Sequence, residues 1–284
     1  MLGFIGGSGI YEALPLDDTR EETVTTPFGD PSAPIVVGEF ADTGREVAFV
    51  PRHGRDHQYS PTTLPYRANI YALKELGVTH VIASNAVGSL REELPPQTLV
   101  VPDQTYDRTK RRPLTFFDEG IVVHQPFAEP YCRELSAHLA EAAREAAGTD
   151  VVEGGTYVCI EGPQFSTVAE SEFYRAQGWD VVGMTTIPEA KLAREAEIAY
   201  ATVTGVTDYD VWKEGSQVTL EEVLENAQAN EDAIKRTVER AIETLPDDHA
   251  CSCHTALEGT INTPSHAIPE STKDRLAPLV GDYL

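Results

Sequence analysis

The chain has 284 residues, with 46 Asp and Glu against 22 Lys and Arg, for a formal net charge of −24 at pH 7. So acidic a surface excludes a general nucleic-acid binder and an anionic-membrane binder, because phosphate backbones and charged lipids both require clustered cations. With 41% hydrophobic and 24% charged residues, the composition suits a packed core and excludes global disorder.

In chain order, Leu2-Gly3-Phe4-Ile5-Gly6 reads as a buried strand running into the glycine turn Gly6-Gly7-Ser8-Gly9. A strand pair is expected over 35–40 and 46–51. A helix follows over 64–76, with Pro65 near its start and Gly77 as its stop. The β-branched run over 79–86 predicts a central strand, and 98–103 another. A helix is expected over 132–147, a strand over 156–160, a helix over 169–177 and a strand over 180–185. A helix over 188–197 and a strand over 198–207 come next. Thr219 and Glu222 form a capping-box pattern that opens a long helix to about Leu245. Residues 103–125 and 246–269 are polar, Pro-containing and irregular, as functional loops often are.

Strands alternating with helices predict an α/β fold, a single domain built on a twisted mixed β-sheet flanked by helices. Residues 1–246 form the domain, and 247–284 an extension of it. No apolar run reaches the roughly 18 residues of a membrane helix. The first residues lack the basic region of a secretory leader. A cytoplasmic setting is expected, and the dispersed acids suggest adaptation to high salt, where screening relieves self-repulsion.

Four features fall at strand ends, where open α/β sheets bind ligands. The Gly6–Gly9 turn can present amides and the Ser8 hydroxyl to an anion. Its spacing fails the dinucleotide pattern, because Glu12 stands where the third glycine belongs, and it fails the P-loop for want of Lys. Arg52 and His53 end a strand and suit a phosphate. Ser84-Asn85-Ala86-Val87-Gly88-Ser89 ends the central strand. Asp208 and Asp210 flank Tyr209 at the end of another, where a carboxyl group can donate to a ring nitrogen and accept from an exocyclic amine. Together these describe an anion held opposite a nitrogenous base.

Ten stretches carry a resemblance: FIGGSGIY (4–11), TPFGDPS (26–32), RHGRDH (52–57), ANIYALKELGVTHVI (68–82), GSLREE (88–93), DRT (107–109), IEGPQFST (160–167), AES (169–171), GMTTIPEAKLAREA (183–196) and TDYDVWKE (207–214). Through them the chain resembles the trimeric purine nucleoside phosphorylase family, in its 5′-methylthioadenosine phosphorylase branch, over residues 2–245. The resemblance implies phosphorolysis of an N-glycosidic bond, giving adenine and 5-methylthioribose 1-phosphate. It implies a homotrimer or a dimer of trimers. It assigns phosphate to Ser8, Arg52, His53, Asn85, Ala86 and Thr185, and the ribose to the Met184 region. Phe165 and Ser166 would line the base pocket, and Asp208 and Asp210 would face the purine edge. Thr219, Leu220, Val223 and Leu224 would surround the 5′ substituent, and His124 would be lent by a neighbouring subunit.

Chemistry agrees with these roles. The ribose passes through oxocarbenium-like character beside the phosphate. The leaving purine needs a proton at N7, for which Asp208 is the candidate acid. Phosphate is a co-substrate, and no metal or organic cofactor is expected. Asp208 favours adenine, whereas the two acceptors of a 6-oxopurine would suit Asn better. The stretch SNAVG (84–88) is closer to that of oxopurine members, so inosine, guanosine or 5′-methylthioinosine is the alternative substrate. Of the four cysteines, Cys132 and Cys159 are expected as buried free thiols. Cys251 and Cys253 lie in a Cys-x-Cys shorter than the usual structural-zinc spacing. They are read as free thiols or a strained disulfide.

Overall fold

The computed structural model describes residues 1–7, 14–41, 43–213, 219–247, 249 and 251–284. The strands are β1 (Leu2–Gly6), β2 (Leu16–Glu22), β3 (Ile35–Phe40), β4 (Arg45–Pro51), β5 (His80–Ser89), β6 (Leu99–Val101), β7 (Gln104–Arg108), β8 (Val151–Glu153), β9 (Thr156–Ile160), β10 (Val181–Gly183) and β11 (Ala199–Asp208). The helices are α1 (Tyr66–Glu75), α2 (Arg133–Ala146), α3 (Val168–Ala176), α4 (Thr186–Glu195), α5 (Leu220–Thr244) and α6 (Glu270–Val280).

All described strands join one mixed sheet in the order β2-β3-β4-β1-β5-β10-β9-β7, with β11, β6 and β8 branching from β5. The branch point positions the site. One edge of β5 pairs parallel with β11 from His80 to Gly88. On its other edge, pairing with β1 ends at Ala83, and antiparallel pairing with β10 begins at Gly88. Residues 84–87 therefore face a split in the sheet.

Alternation along the strands sends side chains to two cores. Ile5, Val81 and Val87 pack with α1, α4 and α6 residues such as Ile70, Leu192 and Leu276. Leu2, Phe4, Ile82 and Val203 pack with Leu135 and Leu139 of α2 and Val238 and Ile242 of α5. Burial on both faces explains why β5 and β11 read as continuous runs. Leu257, Ile268, Leu279 and Val280 of the C-terminal extension enter the first of these cores.

Of the elements absent from the sequence reading, β2 and β7 have little apolar pattern. β2 (LDDTREE) is exposed and acidic, as suits a sheet edge that must not recruit another chain. β7 lies inside the segment expected to be irregular. It is a polar strand whose place comes from parallel pairing with β9. Helix α4 has a non-helical residue at Ile187, so its regular turns start at Pro188 as the sequence suggests.

Candidate active site

A cavity opens beyond the C-terminal ends of β1, β5 and β11, at the split. It brings together Arg52, His53, Asn85, Ala86, Phe165, Ser166, Met184, Thr185, Asp208, Asp210, Leu220, Val223 and Leu224. Ser8 lies outside the described residues. Thr219 and His124 do not line the cavity. Thr219 is the N-cap of α5, its Oγ1 accepting from Glu222 N at 3.2 Å. His124 is exposed, and its backbone N–H donates to Thr260 O at 3.0 Å.

The anion corner is built around Arg52, which is fully buried. Its Nε and Nη2 each donate to a Glu189 carboxylate oxygen at 2.8 Å, and Nη1 donates to Ser84 O at 2.7 Å. Tyr200 Oη also donates to Glu189, at 2.7 Å. Burial opposes the charge on Arg52, but Glu189 beside it overcomes burial and raises its pKa. The bidentate pair fixes the guanidinium plane, leaving one N–H on each terminal nitrogen for a ligand. A Cβ on Gly7 would lie 2.5 Å from Ser84 O and 3.0 Å from Arg52 Nη1. Only glycine lets the backbone approach the guanidinium this closely.

His53 Nδ1 lies 2.8 Å from Tyr59 O. A carbonyl only accepts, so Nδ1 carries the hydrogen and Nε2 is an acceptor in the neutral ring. Burial lowers its pKa to about 4, and the Arg52 charge also lowers it, against the Tyr59 hydrogen bond. His53 is thus neutral at physiological pH and suited to accept from a P–OH. His57 stacks on it, with ring centroids 4.3 Å apart.

Asn85 lines the cavity and is braced from both sides. Its Oδ1 accepts from Thr185 Oγ1 at 2.5 Å, and its Nδ2 donates to Thr202 Oγ1. Asn85 therefore orients Thr185 at the entrance to α4. Ala86 follows it on the split edge of β5 and lines the same corner.

At the other end, a register shift between Val206 and Asp208 turns the end of β11 toward the cavity, a common use of bulges. Asp208 accepts from Thr207 Oγ1 and Asp210 N, both at 2.7 Å. Burial raises its pKa, and these two hydrogen bonds partly offset that. A Cβ on Gly88 would stand 2.8 Å from Asp208 Oδ1, so glycine makes room for the carboxyl group. Asp210 holds φ at +51°. Burial raises its pKa, Ser171 lowers it, the Asp208 charge raises it and Ser166 lowers it. Both hydroxyls approach the carboxyl without closing a hydrogen bond. Asp210 Oδ2, Ser166 Oγ and Ser171 Oγ are buried without partners. Buried polar atoms left open in this way mark a place that a ligand can satisfy.

The remaining walls are apolar. Met184 stands against Gly162, where a Cβ would meet its sulfur at 2.5 Å. Leu220 and Leu224, in the first turns of α5, remain 65% and 53% exposed although they face the cavity. Phe165 is half-exposed at the opposite lip.

Three positioning residues escaped the sequence reading. Glu189 aims Arg52, and Thr202 holds Asn85. Arg112 donates to the carbonyls of Met184 and Glu161 at 2.6 Å and of Ile187 at 2.5 Å, binding the cavity wall together. Glu189 lies within a quoted motif, but its pairing with Arg52 joins distant segments. Arg112 sits in the expected loop beside Arg111, and nothing in the sequence separates the two.

Among the described residues, no third Cys, His, Asp or Glu joins Asp208 and Asp210 in a metal-holding group. Among the described residues, the one such grouping is Cys132, Cys251 and Cys253, away from this cavity.

A family profile described as the phosphorylase superfamily matches residues 1–243. An S-methyl-5′-thioadenosine phosphorylase of Chloroflexus aurantiacus is 51% identical over 284 residues, covering 99% of this chain and 98% of that protein. One of Koribacter versatilis is 49% identical over 283 residues, covering 99% of this chain and 96% of the other. The crystal structure of a methylthioadenosine phosphorylase from an Antarctic soil metagenomic library superposes with a TM-score of 0.92 at 45% identity, covering 98% of each chain.

Proposed function

The chain belongs to the phosphorylase superfamily, and from that premise we propose that it cleaves 5′-methylthioadenosine with inorganic phosphate, yielding adenine and 5-methylthioribose 1-phosphate. The observation that carries the reading is the buried Asp208, its pKa raised, facing a built anion corner across one cavity with an apolar mouth.

Phosphate sits at the split in the sheet. The two open N–H groups of Arg52 donate to it, His53 Nε2 accepts its P–OH, and Thr185 reaches it when its hydroxyl turns from Asn85. As the glycosidic bond stretches, the anion stabilises positive charge at the anomeric carbon. Protonated Asp208 gives its proton to purine N7, and Asp210 Oδ2 accepts from the exocyclic amine. Ser166 and Ser171, buried beside Asp210 without partners, are the donors available to its carboxyl group. The methylthio group occupies the mouth lined by Leu220, Val223 and Leu224, where a 5′-hydroxyl would lose its hydrogen bonds to water at about 1–3 kcal/mol.

Asn85 is engaged by Thr185 and Thr202 at the anion end. These bonds support reading Asn85 as part of the anion end and not of the base end. Exposure of Leu220 and Leu224 supports a homotrimer or dimer of trimers in which His124 of one copy reaches the mouth of the next. The charge of −24 supports a salt-adapted enzyme. No helix among the described residues is long and apolar enough to cross a membrane.

The test is release of free base from 5′-methylthioadenosine, adenosine, 5′-methylthioinosine, inosine and guanosine, with and without phosphate, in molar salt. Phosphate-dependent adenine release, fastest from methylthioadenosine, is expected. Preference for inosine or guanosine would overturn the assignment of Asp208, and release without phosphate would overturn the anion corner. Light scattering on the same sample reads the oligomer.

A further inference from the structure

The N-terminal ends of β5 and β11 carry a second constellation, which phosphorolysis does not use. Cys132, the N-cap of α2, receives the C-terminal extension, and its Sγ lies with those of Cys251 and Cys253 in one group, all within 4.8 Å. Cys132 and Cys253 are buried, and Cys251 is half-buried. His254 neighbours the Cys251 sulfur, beside the group that the three sulfurs form. His254 Nε2 is 3.2 Å from Thr79 O. A carbonyl accepts, so that nitrogen carries the hydrogen, and the lone pair of Nδ1 is left for the sulfur side. A histidine oriented by a backbone carbonyl through its outer nitrogen is the arrangement that prepares it to ligate a metal.

The folded chain removes the objection drawn from spacing. Cys-x-Cys alone is too short for the usual zinc knuckle, but Cys132, from a distant element, supplies the third sulfur. Zinc–sulfur bonds of about 2.3 Å place two sulfurs on a tetrahedral ion about 3.8 Å apart. The group needs to contract by about 1 Å at most to reach that spacing. A set of three thiolates and one imidazole selects a soft or borderline cation over Mg²⁺ or Ca²⁺.

We propose that Cys132, Cys251, Cys253 and His254 form a four-ligand site for a thiophilic divalent cation of the Zn²⁺ class, fastening the C-terminal extension to the base of the sheet. Binding displaces the thiol protons to solvent, with no change of oxidation state. His80 backs the site. Its Nε2 lies 2.9 Å from His249 Nδ1, and its ring meets that of His254 edge-on at 5.0 Å.

The test is titration of the full-length, reduced, metal-stripped protein with Co²⁺ under anaerobic conditions. Sulfur-to-cobalt charge-transfer absorption and tetrahedral d–d bands, saturating at about one ion per chain and displaced by Zn²⁺, are expected. Cys132→Ser and Cys253→Ser should lose the charge-transfer band, and Cys159→Ser should keep it. His254→Ala should shift the d–d bands, and unchanged bands would remove the fourth ligand and the proposal with it. Absence of the charge-transfer band in the reduced wild-type protein overturns the site whether or not the variants fold. Protein isolated without reductant should show four thiols on denaturation beside its bound metal, and a disulfide in place of the metal would overturn it too.

Discussion

β5 and β11 each run ten residues, about 30 Å at 3.3 Å per residue, and their two ends are built on opposite plans. At the C-terminal ends, glycines at 7, 88 and 162 hold space open, and Asp210, Ser166 and Ser171 keep polar atoms unpartnered. At the N-terminal ends, His80 bonds Thr79 and His249, and Cys132, Cys251 and Cys253 close on one another. One end is left unsatisfied for a ligand, while the other closes the chain on itself. Function and anchoring are thus separated along the same strands, and substitutions at the two ends should separate as well.

Asp208→Asn should give the largest effect. It removes the proton donor to N7, and general-acid catalysis contributes typically about 10²–10⁴-fold. The loss in kcat/KM should be greater for methylthioadenosine than for inosine, whose oxygen accepts from the new amide. Because burial raises the Asp208 pKa, the active, protonated form declines as pH rises through that value. Wild-type kcat/KM should therefore fall on the alkaline side, and Asp208→Asn should flatten that limb. Equal loss on both substrates would break the link between this end and base selection.

Glu189→Gln comes next. It leaves the Arg52 charge buried beside a neutral partner, and breaking a buried ion pair costs about 3–5 kcal/mol. Denaturant unfolding should show that loss. In the folded fraction, KM for phosphate should rise more than KM for nucleoside. A stable variant with unchanged phosphate dependence would mean that Glu189 does not position the corner.

How much of each end was legible follows from how each is assembled. The catalytic end is made of short motifs that follow strands, so Arg52-His53, Asn85-Ala86 and Asp208-Tyr209-Asp210 could be found by reading strand ends. The same reading missed the supports, because Glu189, Thr202 and Arg112 act through partners far away in sequence. The brace that Asn85 gives Thr185 is likewise invisible in sequence, because the two lie a hundred residues apart. At the anchoring end, Cys132 looked like an ordinary buried thiol at a helix start. Only the path of the C-terminal extension brings Cys251 and Cys253 to it. β2 and β7 were hidden for another reason: their sheet pairing comes from neighbouring strands and not from an apolar pattern of their own.

His53 offers a smaller, pH-dependent effect at the catalytic end. Its folded pKa of about 4 lies below the ordinary histidine value near 6.5. Between those values the unfolded chain binds the extra proton, so stability rises with pH there and is lost as pH falls. Burial of a neutral ring over that interval corresponds to about 3 kcal/mol. Denaturant midpoints from pH 7 to pH 4 should fall less steeply in His53→Gln than in the wild type, and the same variant should raise KM for phosphate. Parallel profiles would show that His53 titrates normally in the folded chain.

Thr219→Ala should have the smallest effect, and it bears on how far the catalytic end extends. Resemblance places Thr219 around the 5′ substituent, but the structure uses its hydroxyl to cap α5. Loss of such a cap costs typically about 1 kcal/mol. The cost should appear as a small fall in the unfolding midpoint, read at fixed salt because screening shifts the baseline of so acidic a chain. Preference for methylthioadenosine over adenosine should hold, because Leu220, Val223 and Leu224 keep their side chains at the mouth. Leu224→Ser is the counterpart, leaving the cap intact while placing a hydroxyl in the apolar wall. If Thr219→Ala shifted that preference as far as Leu224→Ser, the first turn of α5 would belong to the binding surface, and the boundary of the catalytic end would move to include its cap.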